Sequence, residues 1–187
     1  MNRFKINKTS FSDLFFVDLK PLKDNRGYFK RLYCNDELIN IMGNKPISQI
    51  NYTFTKRKGT VRGLHYQTKP FSEKKIITCI KGEVYDVAVD LRKNSPTFLK
   101  HFSNILSEKN NKMIVVPEGF AHGFQTLKDN CEMMYFHSKP FNSKSERGIN
   151  SLDPMLNIKW PLNFKQISDK DKNYSLLKID FRGIQTQ

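Results

Sequence analysis

Through the middle of the chain, apolar and polar residues alternate with a period of two. EVYDVAVDL (83–91) places Tyr85, Val87, Val89 and Leu91 on one face and Asp86, Ala88 and Asp90 on the other, the pattern of a half-buried strand. KKIITCI, joined to it through Lys81-Gly82, predicts a hairpin with glycine in the turn. KMIVVPEGFAHGFQTL reads as strand, Pro-Glu-Gly turn and strand, and CEMMYFH as one more strand. A helical period is confined to two places. CNDELINIMG (34–43) offers Asn35 or Asp36 as a cap, an apolar stripe at Leu38, Ile41 and Met42, and Gly43 as a stop. A second, short helix is expected near SDKDKNY, in a tail that is otherwise irregular after SLDP. Many short strands with turns about every ten residues predict an all-β sandwich or barrel. A length of 187 residues without repeat, low-complexity tract or linker predicts a single domain over 1–187.

A strand face that carries Asp86 and Asp90 is not built for a dry core. One face of such a strand is expected to pack against a second sheet while the other lines a polar cavity, with the two carboxylates as acceptors in its wall. KGTVRGLHYQ (58–67) raises the same expectation, because Arg62, His65 and Gln67 share a strand that Gly59 and Gly63 interrupt. His122, in AHGF, has the same glycine-flanked setting. Two histidines facing one cavity would make a site.

Composition narrows the choice of partner. The 38% apolar content and 15 phenylalanines fit a folded globule. Apolar runs such as MIVV (113–116) are far too short to span a bilayer, and Ser12, Asp13 and Asp18 break any signal-peptide core, so no membrane partner is expected. Cys34, Cys79 and Cys131 are odd in number, widely spaced and without a CxxC pattern, which predicts reduced thiols, a cytoplasmic protein and no zinc site. The net charge of +14 suits an anionic partner. Its lysines, however, are scattered along the chain with no nucleic-acid-binding signature. A solvated basic surface around a nucleotide-diphosphate site fits better than nucleic acid.

Five stretches, in order and covering nearly the whole chain, carry a specific resemblance: DNRGYFKR (24–31), SQINYTFTKRKGTVRGLHYQ (48–67), KGEVYDVAVDLRKNSPTF (81–98), VPEGFAHGFQTL (116–127), and DPMLNIKWP through ISDKD (153–171). Together they resemble the dTDP-4-dehydrorhamnose 3,5-epimerase family. The resemblance implies a cupin-type jelly roll with a few short helices, a homodimer, no metal or organic cofactor, and inversion at C3 and C5 of a nucleotide-linked 4-keto-6-deoxyhexose.

That chemistry makes sense of the residues. A 4-ketone acidifies the hydrogens at C3 and C5, because either carbanion delocalises onto oxygen as an enolate. Inversion then needs a base on one face, an acid on the other, and a cation at the enolate oxygen. An imidazole, with an ordinary pKa of about 6.5, suits the base. By the family pattern, His65 is that base, Asp171 its carboxylate partner, Lys75 the enolate cation, with Lys74 its solvent-facing neighbour, and Tyr135 the opposite-face acid. Arg26 and Arg62 match positions that meet the nucleotide and its diphosphate, where a guanidinium can fork two oxygens. Gln49, Asn51, His122, Glu146 and Lys170 match further substrate contacts. Strict alternation puts Arg62 and His65 on opposite faces, unless Gly63 distorts the pleat or Arg62 serves a partner subunit. His101 and His137 carry no motif and are expected to be surface or packing residues.

Two positions depart from the family pattern. Arg31 stands where much of the family has glutamate, and Phe141 stands where a tyrosine would stack near the nucleotide base. Both keep other carriers open, namely GDP- or CDP-linked hexoses and heptoses. A ketoisomerase moving the carbonyl between C3 and C4, and a non-catalytic cupin that only binds nucleotide sugars, are the competing readings. The joint presence of His65, Asp171, Lys75 and Tyr135 argues against the binder.

Overall fold

The computed structural model describes residues 2–186. In chain order the elements are β1 (Phe4–Lys8), β2 (Phe15–Leu19), β3 (Leu22–Asp24), β4 (Gly27–Phe29), α1 (Asn35–Met42), β5 (Gln49–Thr55), β6 (Val61–Gln67), β7 (Lys75–Lys81), β8 (Glu83–Asp90), β9 (His101–Ser107), β10 (Lys112–Val116), β11 (Phe120–Thr126), β12 (Cys131–His137), β13 (Glu146–Gly148), a 3-10 turn at Pro154–Leu156, and α2 (Asp169–Lys172). Two antiparallel sheets face each other. One has six strands in the order β1-β2-β10-β7-β12-β5, the other five in the order β13-β6-β11-β8-β9, and β3–β4 forms a separate two-stranded ribbon. The architecture is the cupin jelly roll.

The inward-facing apolar residues of both sheets meet in one core. Ile77, Cys79, Ile114 and Met133 come from the six-stranded sheet, and Val84, Ala88, Leu106 and Phe124 from the five-stranded one. Outside the first sheet, α1 lays Leu38, Ile41 and Met42 against Val17, Ile76, Met113 and Phe136. Outside the second, the tail covers Leu64, Val87, Val89 and Leu91 with Leu156, Trp160, Leu177 and Phe181. The alternation in β8 therefore holds, but its assignment changes. The Val87–Val89 face lies under the tail, and the Asp86–Ala88 face looks toward the six-stranded sheet.

Three further expectations are corrected. Lys81-Gly82 does not close a hairpin, because β7 pairs with β10 and β12 while β8 pairs with β11 and β9. Gly82 (φ +82°) is a one-residue joint between the sheets, and a Cβ there would meet Cys131 Sγ at 2.7 Å. Helix α1 takes Cys34 as its N-cap, without a side-chain capping bond; Asn35 and Asp36 fall inside the first turn. Asp90 is not a cavity acceptor, since its carboxylate accepts from Arg92, Ser95 and Thr97 and pins the loop after β8. All three cysteines are free thiols, and burial pushes Cys79 up to about 12, so it stays protonated at neutral pH.

Candidate active site

A cavity of about 570 Å³ opens between the sheets, walled by β5, β6, β7, β11 and β12 and by the segment leading into α2. Strand β6 supplies its key irregularity. His65 lies opposite His122 and Arg62 opposite Phe124, so Gly63 and Leu64 together face the single Gly123. This bulge resets the parity of the strand, and Arg62 and His65 both line the cavity. Only glycine fits at 63: its φ is +113°, and a Cβ would lie 2.7 Å from Gly123 Cα and from the His122 carbonyl oxygen.

His65 Nε2 donates to Asp171 Oδ1 at 2.7 Å, and Asp171 Oδ2 accepts the Gly63 N–H at 3.1 Å. The carboxylate is 3% exposed. Burial works to raise its pKa, but the bonds from His65 and Gly63 outweigh it and hold the group below the ordinary carboxylate range. Ser168, not Asp171, caps α2, accepting the Asp171 N–H at 3.1 Å. With Nε2 engaged, Nδ1 is the nitrogen left to act as a base. The edge of Tyr174 rests on the His65 ring (5.9 Å, 70°), in space that exists because Gly148 has no side chain.

Tyr135 stands on the other sheet, in β12, and lines the same cavity. Burial raises its phenol pKa, and Asp86 adds to the rise against an opposing effect of Arg62, so the side chain stays a neutral proton donor. Two imidazoles flank it: His122 edge-on at 6.3 Å and His137 stacked at 6.1 Å. His122 is 6% exposed and donates from Nε2 to Asp86 Oδ2 at 2.8 Å. Asp86 thus sits behind the wall rather than in it.

Lys75 lines the cavity from β7, its Nζ 3.2 Å from Glu73 Oε1. Lys74, expected to face solvent, instead donates to the Ile41 carbonyl at the end of α1 (2.7 Å). Asn51, Arg62 and Lys170 complete the wall, and Lys170 pairs with Glu146 at 2.6 Å. Gln49, Glu146 and Phe141 line an adjoining hollow of about 170 Å³ that shares Asn51, His65, Lys75 and His137 with the main cavity. Arg26 is the exception. It sits on the β3–β4 ribbon, 86% exposed and tied to Asp24, outside its own chain's cavity. Arg31 also lies outside, paired with Glu37 of α1 at 2.5 Å.

His137 and Glu73 are among the cavity groups that escaped the sequence reading. His137 is a wall residue, not a packing one, and Glu73 lies buried behind it. The signal for His137 was present: two residues beyond Tyr135 in a strand is the same face. Glu73 lies outside any strand and offered no such pattern. His101 is a packing residue, bonded to the Leu156 carbonyl. Among the described residues, no three His, Cys, Asp or Glu side chains cluster as a metal set.

The family profile described as dTDP-4-dehydrorhamnose 3,5-epimerase matches residues 8–178. The Shigella flexneri protein of that name is 40% identical over 167 residues, covering 89% of this chain and 92% of its own. Among solved structures, an epimerase from Legionella pneumophila in complex with dTDP-4-keto-L-rhamnose superposes with a TM-score of 0.92 at 34% identity, covering 98% of this chain and 99% of that one. The Bacillus anthracis dTDP-4-dehydrorhamnose 3,5-epimerase with TDP and pyrophosphate bound gives 0.89 at 36% identity, with 93% and 99% covered.

Proposed function

The chain belongs to the dTDP-4-dehydrorhamnose 3,5-epimerase family, and on that premise we propose that it inverts C3, C5 or both in a nucleotide-diphosphate 4-keto-6-deoxy sugar; inversion at both carbons converts dTDP-4-dehydro-6-deoxyglucose to dTDP-4-dehydrorhamnose. One observation carries the reading: His65 and Tyr135 project from facing sheets into a single cavity that Lys75 also reaches. His65 Nδ1 takes the proton from carbon. The electron pair moves to the 4-oxygen, where the Lys75 ammonium meets the developing charge. Asp171 fixes the ring and stabilises the imidazolium. Tyr135 returns a proton to the opposite face, its phenolate regains one from solvent, and the His65 imidazolium releases to solvent the one it took. Arg62 and Lys170 supply cations for the diphosphate, with Asn51, His122, Gln49, Glu146 and Phe141 as further contacts. Arg31 speaks against a thymidine carrier less than its sign suggests, because Glu37 already neutralises it.

The test is incubation with nucleotide-linked 4-keto-6-deoxyhexoses in D2O, followed by NMR. Deuterium should enter at C3 or C5 with inversion, fastest for the dTDP sugar. Uptake at neither carbon with dTDP, GDP and CDP carriers would remove the epimerase reading and leave a binder. A carbonyl found at C3 would indicate a ketoisomerase.

A homodimer completes the proposal. Edge strand β5 exposes Ile50, Tyr52 and Phe54, and the ribbon exposes Leu22, Tyr28 and Phe29, a combination that suits burial against a second copy. A dimer is also the arrangement in which Arg26 could meet a bound nucleotide. Light scattering should give twice the chain mass; a single-chain mass at micromolar concentration overturns it. Among the described residues no helix is long and apolar enough to cross a membrane, and the free thiols fit work in the cytosol.

A further inference from the structure

Beside Tyr135 runs a chain of polar contacts in which the proposed chemistry leaves Glu73 and His137 without a task. Lys75 Nζ, which can only donate, meets Glu73 Oε1 at 3.2 Å. His137 Nδ1–H donates to Glu73 Oε2 at 2.8 Å, which leaves Nε2 as an acceptor. Asn51 Nδ2 meets that nitrogen at 3.3 Å, and Asn51 Oδ1 accepts from Gln49 Nε2 at 3.0 Å. Gln49 Oε1 in turn accepts the Phe141 N–H at 2.9 Å. Every bond in the chain points toward Glu73. That carboxylate is 7% exposed; burial works against its charge, but His137 and Lys75 outweigh it and hold the group below the ordinary range.

His137 and Lys75 are cross-strand partners, so a plain clamp between β7 and β12 is the competing explanation. A clamp has no need of a buried carboxylate flanked by a partly buried ammonium and imidazole, since apolar packing would join the strands without the desolvation cost. The network, moreover, meets the chemistry at two points: it contains Lys75, and its His137 ring stacks on Tyr135.

We propose that Glu73 and His137 are positioning residues for the protonating face: Glu73 fixes Lys75 Nζ and the His137 ring, and His137 fixes the plane of the Tyr135 phenol. This rests on the epimerase reading. An enolate formed by His65 has two fates. His65 can return a proton or deuteron to the face it came from, which is exchange without inversion. Tyr135 can protonate the other face, which is inversion. The Glu73–His137 pair governs the second fate, because a phenol displaced by about 1 Å no longer reaches the carbon.

The experiment measures exchange and inversion separately, by NMR in D2O with the dTDP-linked 4-keto-6-deoxyhexose, for the wild type and for H137A, H137F and E73Q. Inversion should fall on the order of tenfold to a hundredfold more than exchange in H137A and H137F, whereas E73Q, which also releases Lys75, should lower both, inversion the more. H137F keeps a stacked ring without the bond to Glu73 and guards against simple loss of packing. H137Q, whose amide can still donate to Glu73, should recover part of the inversion. In a Y135F background H137A should add no further loss, because both act on one step. Exchange and inversion falling in parallel in H137A and H137F, or H137F inverting at the wild-type rate, overturns the proposal and leaves the clamp. A wild type that neither exchanges nor inverts overturns the epimerase reading itself, so the two failures are distinguishable.

Discussion

Replacing His65 with alanine should lower both deuterium wash-in and inversion by on the order of 10²–10⁴-fold, the usual contribution of a positioned base. That loss is about 3–5 kcal/mol of activation free energy. The cavity offers no ready substitute. His122 lines it, but its Nε2 is engaged with Asp86 and its ring is only 6% exposed. His137 is bound to Glu73 and Asn51. The His65 side chain, by contrast, is 33% exposed, and its partner Asp171 is fixed by a second bond to Gly63. Nucleotide binding should persist, because the cations at Arg62 and Lys170 are untouched; a thermal-shift titration with dTDP checks it. Wild-type exchange in H65A would dismiss His65 as the base.

Replacing Tyr135 with phenylalanine should have a different signature. Inversion should fall on the order of 10²–10⁴-fold while much of the exchange survives, because His65 still forms the enolate and can return a deuteron to the same face. The change removes one oxygen and keeps the ring, so packing against the inter-sheet core and the melting temperature should be little altered. Burial and Asp86 raise the phenol's pKa, so the wild-type group is a neutral donor across the working pH range and its loss should not be mimicked by mild alkali. NMR that resolves isotope content from configuration checks the split. Parallel loss of both processes would mean that Tyr135 supports the pocket rather than the opposite-face proton.

Much of the fold was legible because β8 alternates cleanly and its period of two marks a strand with two different faces. The misreadings came where pairing is decided at long range. KKIITCI and EVYDVAVDL look like a hairpin because a glycine separates them, yet each finds its hydrogen-bond partners elsewhere in the chain. Nothing local distinguishes a glycine that turns a strand back on its neighbour from one that passes it to the opposite sheet. The site divides the same way. His65, His122, Lys75, Tyr135 and Asp171 were nominated by motif and converge on one cavity. Arg62 joined them through a bulge whose register depends on β11. His137 lay in plain alternation with Tyr135 but gained meaning only beside Glu73, a residue 64 positions away in sequence.

By itself the sequence determined the strand period, the family, and the chemical types able to move a proton beside a ketone. These are properties of residue identity and local spacing, and they survive in an unfolded chain. Tertiary structure alone decided which sheet each strand joins, which face of β8 looks toward the opposite sheet, and that Arg26 lies apart while Glu73 and His137 stand beside the phenol. Those facts depend on hydrogen-bond partners and desolvation between residues far apart in sequence, which exist only once the sheets have closed on each other.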